Sequence, residues 1–330
     1  MKRHGVIVSP SGTLGATFNP AAVQLDDGRY ILLVRSVPQG YTKIGTVNQF
    51  DDAYTSHLSL WEAKGPAGEF KLVDPAAIKP DQSFDKFGVE DPRITKIDDT
   101  YYIFYTALAK GLGQPDASTG IRIAMASTKD FKTFKKHGVI GPDRTSKAGA
   151  VFESQGKLWF LWKDEQGVER TMLTPAPKDF EDAAEWKKMW AVRDISGDQL
   201  IGPQKNGYED HGVEPGAPPI EIPEGLLVVY SSISKDMKWT ISLMLLDKDD
   251  PRKIIAKSEA PSLKPEADYE IKGDVNNVVF PCGAVVDDGK LYVYYGGADT
   301  VCAVGSEDMA VVRKLLKPFK DNPVPKGPGK

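Results

Sequence analysis

Five times along this chain, a tight turn built on Asp or Gly leads, at once or after one residue, into five consecutive β-forming residues. The turns are Asp26-Asp27-Gly28, Ile97-Asp98-Asp99, Ser154-Gln155-Gly156, Pro223-Glu224-Gly225 and Asp287-Asp288-Gly289. The runs that follow them include Tyr30-Ile31-Leu32-Leu33-Val34, Tyr101-Tyr102-Ile103-Phe104-Tyr105 and Leu291-Tyr292-Val293-Tyr294-Tyr295. Asp-Gly ahead of such a run is a strong hairpin signal. Most runs are also preceded by a second strand-like stretch, for example Ala21-Ala22-Val23 or Gly283-Ala284-Val285-Val286. The turns recur at roughly 55 to 75 residues, somewhat longer than the usual propeller-blade period. Further strand candidates lie between them, at His57-Leu58-Ser59-Leu60-Trp61, Ile121-Arg122-Ile123-Ala124-Met125-Ala126 and Thr240-Ile241-Ser242-Leu243-Met244-Leu245. Helical periodicity is weak outside residues 177–189, where one or two turns are expected. Five similar β units predict an all-β, five-bladed β-propeller. A two-domain β-sandwich protein is the alternative. The even spread of the repeat and the lack of any composition shift favour one propeller domain over residues 1–316, followed by an extended Pro- and Lys-rich tail over 317–330.

Composition narrows the function. A net charge of -4 gives no reason to expect nucleic acid or an anionic membrane as partner. No run of about 18 apolar residues occurs, and no apolar segment follows the basic Met1-Lys2-Arg3-His4. A cytoplasmic protein is expected. The two cysteines, Cys282 and Cys302, are too few for a disulfide framework and have no His cluster nearby. We expect buried reduced thiols, no metal and no organic cofactor.

In a propeller, loops at one end enclose an axial pocket, so polar residues close to the repeated hairpins should line it. The first unit supplies Asn19 and Arg35, and the second Glu90, Asp91 and Arg93. The third supplies Lys147, Glu153 and Lys163. The fourth supplies Glu209, Asp210, His211 and Glu214, and the fifth Asp274, Asn277 and Asp299. Within Glu90-Asp91-Pro92-Arg93, Pro92 should push Asp91 into an extended conformation. Adjacent residues would then point to opposite faces, so only one of the two carboxylates could face a given cavity. A carboxylate fixed beside an arginine suits a general acid. It suits a structural ion pair equally well.

The stretch Gly88-Val89-Glu90-Asp91-Pro92-Arg93-Ile94 resembles the signature of glycoside hydrolase family 130, the β-mannoside phosphorylases and hydrolases. Phe18-Asn19-Pro20-Ala21, Leu33-Val34-Arg35, Gly216-Ala217-Pro218-Pro219-Ile220, Val279-Phe280-Pro281-Cys282-Gly283 and Tyr294-Tyr295-Gly296-Gly297-Ala298-Asp299 resemble the family too, in its order along the chain. The likeness covers roughly residues 15–305 and implies the same five-bladed propeller. It also implies an inverting reaction with Asp91 as general acid, acting in the phosphorylases through a substrate hydroxyl. Asn19, Arg35, Arg93 and Asp299 would bind the mannosyl unit, with Glu90 and His211 beside them.

The attacking group separates the activities. Phosphate needs a cluster of basic donors. Lys163 stands where the phosphorylases usually have Arg, and Ser231 where they have His. The segment Asp210-His211-Gly212-Val213-Glu214-Pro215 replaces a stretch that usually carries Lys. Lys is a poorer bidentate phosphate ligand than Arg, and Glu214 would repel phosphate. An inverting hydrolase instead needs a carboxylate that activates water. Glu214 is the candidate base, with Glu209 and Glu153 in reserve; a rim carboxylate or a partner to Lys163 is the competing role for Glu214. The expected activity is hydrolysis of β-linked mannose from short manno-oligosaccharides. The alternatives are a phosphorylase that holds inorganic phosphate on Lys147 and Lys163 and releases mannose 1-phosphate, and a non-catalytic sugar-binding propeller. Linkage and acceptor choice should depend on the loops 37–54 and 108–119, of which the first is long enough to form a rim or contact a neighbouring subunit in an oligomer.

Overall fold

The computed structural model describes residues 1–45 and 49–319. Its strands form five antiparallel sheets arranged as a five-bladed β-propeller. Blade one runs outward through Leu14–Gln24, Tyr30–Pro38, His57–Ala63 and Lys71–Ile78, and blade two through Gly88–Ile97, Thr100–Leu108, Ile121–Thr128 and Lys135–Val139. Blade three is Ser146–Ser154, Lys157–Asp164, Arg170–Pro175 and Gln199–Ile201. Blade four has a divided inner strand, Gly212–Pro215 and Ile220–Ile222, then Gly225–Ile233, Trp239–Leu246 and Ile254–Ser258. In blade five, Val279–Asp287, Lys290–Gly297 and Val301–Asp308 are joined at the outer edge by the chain's first strand, Lys2–Val8. That strand links the start of the chain to its last blade and closes the ring.

The five hairpins expected from the turns are the inner hairpins of the five blades. Their local chemistry is visible at Asp288 (φ 44°) and Gly289 (φ 70°). Two positive φ values in succession suit a type I′ turn, whose twist matches that of the flanking strands. The apolar runs after the turns are continuous because both faces of each blade are buried. Along the second strand of blade one, Ile31 and Leu33 enter the core shared with blade two, while Tyr30, Leu32 and Val34 enter the core shared with blade five. Every blade repeats this division. Tyr101, Ile103 and Tyr105 face one way and Tyr102 and Phe104 the other; Leu227 and Val229 alternate with Leu226, Val228 and Tyr230. Side-chain alternation along a strand thus builds five interblade cores rather than one central core.

The expected helical turns are a ten-residue helix, Ala183–Val192, which continues past the expected end. Asp182 caps it by accepting a hydrogen bond from the Ala184 amide. Trp186 is buried against Phe160, and Trp190 donates to the Ile140 carbonyl, which anchors the extra turn to blade three and its approach. Cys282 and Cys302 are buried free thiols. Leu316–Pro318 forms a short strand on the outer edge of blade four, and residues 320–330 of the expected tail lie outside the described residues. Among the described residues, no helix is long and apolar enough to cross a membrane.

Candidate active site

The inner strands of blades one, two and three lose register at equivalent places. The breaks fall between Phe18 and Ala21, between Glu90 and Arg93, and between Lys147 and Ala150. Each break is a bulge with one residue in the left-handed region: Asn19 (φ 50°), Asp91 (φ 47°) and Ala148 (φ 54°). Asn and Asp are among the side chains that tolerate this conformation best. Bulges re-aim side chains, and here they turn Asn19 and Asp91 into one axial cavity of about 220 Å³. The expectation of an extended Asp91 is therefore corrected. Pro92 disfavours right-handed helical backbone before it, but the bulge resolves that restriction through positive φ. As a result Glu90 and Asp91 reach the same arginine.

One wall of the cavity is formed by Asn19, Arg35, Asp91 and Asp299. Arg35 lies 3.0 Å from Asp91 Oδ1 and 2.7 Å from Glu90 Oε1, and it donates to the Tyr54 hydroxyl. Asn19 Nδ2 donates to Asp91 Oδ1 at 2.7 Å. Burial raises the Asp91 carboxyl, but Arg35 and the Asn19 amide outweigh it and hold the group below the usual range. Glu90 shares the same cation, accepts a hydrogen bond from the Ser56 hydroxyl, and is pushed up by burial. It is 4% exposed and lies behind the wall, not in it. Asp299 faces the cavity, and burial raises its carboxyl to about 7.

The second wall is an ion-pair network. Lys163 Nζ lies 2.7 Å from Glu214, 2.8 Å from Glu165 and 2.9 Å from Glu169, and Lys147 Nζ lies 3.1 Å from Glu165. Burial raises Glu214 above the usual carboxyl range against the pull of Lys163. Glu165 is raised by burial but held by Lys147 and Lys163 down to about 2. The third wall is apolar, from Met237, Trp239, Val275, Val278 and Phe280.

Of the ten residues given a catalytic or substrate-binding role from the sequence, seven meet here: Asn19, Arg35, Asp91, Lys147, Lys163, Glu214 and Asp299. Arg93, expected to bind the sugar, has no surface in the cavity. It is 0% exposed, and its guanidinium donates to the carbonyls of Asp91, Pro215 and Gly216 at 2.7–2.8 Å. It clips blade two to blade four across the axis. His211 sits outside the lining, 3.4 Å from the far side of Glu169. The reserve bases are elsewhere: Glu209 is fully buried between Lys257 and the Tyr230 hydroxyl, and Glu153 is exposed. The sequence reading missed Glu165, Glu169 and Tyr54. The signal for the first two was the acid-containing turn Asp164-Glu165-Gln166-Gly167-Val168-Glu169 directly after Lys163. Tyr54 closes the 37–54 loop, whose residues 46–48 lie outside the described residues. Elsewhere in that loop, Tyr41 and Lys43 bond to Asp274 on the blade-five side, so the loop forms part of the rim.

A family profile described as β-1,4-mannooligosaccharide phosphorylase matches residues 6–318 of the chain. A 1,2-β-oligomannan phosphorylase from a Thermoanaerobacter species is 30% identical over 301 residues, 90% of this chain and 92% of the relative. A β-1,2-mannobiose phosphorylase from the same source is 30% identical over 286 residues, 86% of this chain and 87% of the relative. Among solved structures, β-1,2-mannobiose phosphorylase from Listeria innocua superposes with a TM-score of 0.80 at 22% identity, covering 95% of this chain and 98% of that one. A structure described with glycoside hydrolases that target β-1,2 mannosidic linkages in Candida mannan gives a TM-score of 0.72 at 22% identity, covering 98% of this chain and 96% of that one. At these identities the two structural likenesses speak to the fold.

Proposed function

The chain belongs to glycoside hydrolase family 130, and from that premise we propose an inverting enzyme that removes β-linked mannose from a short manno-oligosaccharide with water as the attacking group. The observation that carries the choice of water is the second wall of the cavity. Both lysines that could receive phosphate are already paired with carboxylates, Lys147 with Glu165 and Lys163 with Glu165, Glu169 and Glu214. Charge-assisted bonds to a phosphate would need those donors free.

In this reading Asn19, Arg35 and Asp299 surround the mannosyl unit, and the apolar wall with Trp239 takes a sugar face. A cavity of about 220 Å³ suits one sugar unit rather than a long chain. Glu214, raised by burial, takes a proton from water as the water oxygen bonds to C1. The bond from C1 to the leaving oxygen breaks, and that oxygen receives a proton originating on Asp91, relayed by a sugar hydroxyl as the family resemblance implies. Arg35 and Asn19 hold Asp91 ionised in the open cavity. A sugar filling the cavity removes the remaining water from Asp91 without adding charge, which pushes the carboxyl up toward the protonated form.

Phosphorolysis is the second reading, and the named relatives favour it. The profile and both relatives at 30% identity carry phosphorylase names. Support for water comes from the ion pairs of the cavity and not from the relatives. Product analysis on β-linked mannobioses, with and without phosphate, separates the two. Free mannose at equal rates in both buffers supports hydrolysis. Mannose 1-phosphate that forms only with phosphate overturns it in favour of phosphorolysis.

A further inference from the structure

Glu165 was not among the residues expected to matter, yet it is the carboxylate that bridges the two lysines of the cavity. It sits on the turn that leaves the strand Lys157–Asp164, and its carboxylate bridges Lys163 at 2.8 Å and Lys147 at 3.1 Å. Its side chain is 16% exposed, while that of Lys163 is 4% exposed. Lys163 is bounded on its other sides by Glu169 and Glu214. The two ammonium groups thus face three carboxylates. A phosphate dianion that entered would have to displace Glu165 from both lysines and then lie against Glu169 and Glu214, and like charges in such contact are strongly unfavourable. Water, being neutral, meets no such barrier and can accept and donate hydrogen bonds in the same network.

We propose that Glu165 is a built-in anion that closes the cavity to phosphate and so selects water as the attacking group. The proposal rests on the hydrolytic reading above and adds a residue that determines it. Glu165 needs no contact with the sugar for this. It acts by holding Lys147 and Lys163, which makes it a specificity-determining residue and not a catalytic one. Glu165→Gln keeps the size of the side chain and removes its charge, leaving both lysines short of an anion. In that variant a phosphate oxygen can bond to C1 as the bond from C1 to the leaving oxygen breaks, and the leaving oxygen takes up the proton. Glu165→Asp keeps the charge and should keep phosphate out.

The test is calorimetric titration of inorganic phosphate, combined with phosphorus NMR of the products from a β-mannobiose that the wild-type enzyme cleaves. For Glu165→Gln, phosphate affinity is expected to rise by about tenfold or more, and mannose 1-phosphate should appear alongside mannose. The wild-type enzyme and Glu165→Asp should release mannose alone. A purely structural ion pair would change stability without changing the product. A folded Glu165→Gln enzyme that hydrolyses the substrate with unchanged phosphate affinity and products overturns this proposal and leaves the hydrolytic reading intact. Mannose 1-phosphate from the wild-type enzyme overturns both. If Glu165→Gln does not fold, the wild-type enzyme still decides: phosphate that inhibits its hydrolysis competitively with the sugar shows an open anion site and overturns the proposal, whereas indifference to phosphate supports it.

Discussion

Asn19 and Asp91 occupy corresponding bulges on neighbouring blades, both with positive φ, and are joined by a 2.7 Å hydrogen bond from Asn19 Nδ2 to Asp91 Oδ1. The bond places Asp91 in the cavity and, together with Arg35, favours its ionised form. Two effects are combined at position 19 and can be separated. Asn19→Gly removes the side chain but keeps a residue suited to φ 50°; Asn19→Ala removes it and adds backbone strain. Both are expected to lower kcat by about 10-fold or more, and Ala should be less stable than Gly by about 1 kcal/mol. Urea midpoints and kcat on a β-mannobiose check this. Equal stability of the two variants would mean that the bulge conformation carries no cost.

Gly296 allows that arrangement. A Cβ there would lie 2.0 Å from Asn19 Oδ1 and 2.8 Å from the Asn19 backbone nitrogen. Gly296→Ala is expected to displace Asn19 and reduce kcat by about as much as Asn19→Ala does. A fully active Gly296→Ala enzyme would show that the Asn19–Asp91 contact does not matter for turnover.

Glu214→Gln tests the proposed base. The change keeps the shape next to Lys163 and removes the proton acceptor. On the hydrolytic reading, kcat falls by about 10²–10⁴ while sugar affinity, read by calorimetry, changes little. A small loss of kcat would leave Glu214 as a partner to Lys163 only.

Asp299 gives a pH signature. Its carboxyl is raised from 3.8 to about 7 by burial, so the folded protein retains a proton that the unfolded chain releases. Stability from this group is therefore lost as pH rises from about 4 to about 7, by up to an order of 4 kcal/mol. Asp299→Asn should remove that penalty, tolerate the positive φ at this position, and bind the sugar less well. The expected result is a higher Tm than wild type at pH 8, little difference at pH 4, and lower activity. A difference in Tm that is the same at both pH values would refute the assignment.

Arg93 should behave as a structural residue. Among the described residues its three hydrogen bonds end on backbone carbonyls, two of them on blade four. Arg93→Lys cannot reproduce the planar fork and leaves buried carbonyls unpaired, which should cost about 3 kcal/mol of stability. Denaturant unfolding measures this. Loss of sugar affinity with no loss of stability would instead return Arg93 to the binding set.

The legible and illegible parts of this protein differ in kind. The hairpin of blade five could be read from Asp287-Asp288-Gly289 and the five residues after it, because turn geometry and two-sided burial are encoded within ten neighbouring positions. Asn19, Arg35, Asp91 and Asp299 stood out by their places beside the repeated hairpins and again in the family motifs, and they do line one cavity. Arg93 belonged to the same motif set, yet its side chain turns to carbonyls that lie 122 and 123 residues away along the chain. Nothing local distinguishes those two outcomes. At Asp91 the local rule misled, because a preference for extended backbone before proline yielded to the register break between Glu90 and Arg93.

By itself the sequence determined the number of blades, the alternation that fills the five cores between them, and membership of a family that acts on β-mannosides. These follow from periodicity, turn chemistry and motif order, which are properties of neighbouring residues. Only the tertiary structure decided which charges meet. Lys163 is 51 residues from Glu214 and 16 residues from Lys147 in the chain, but all three converge on Glu165 or on one another within a few ångströms. Electrostatic energy depends on separation in space and on burial. Whether a lysine at that wall is free to hold phosphate or is already neutralised is therefore a property of the folded cavity.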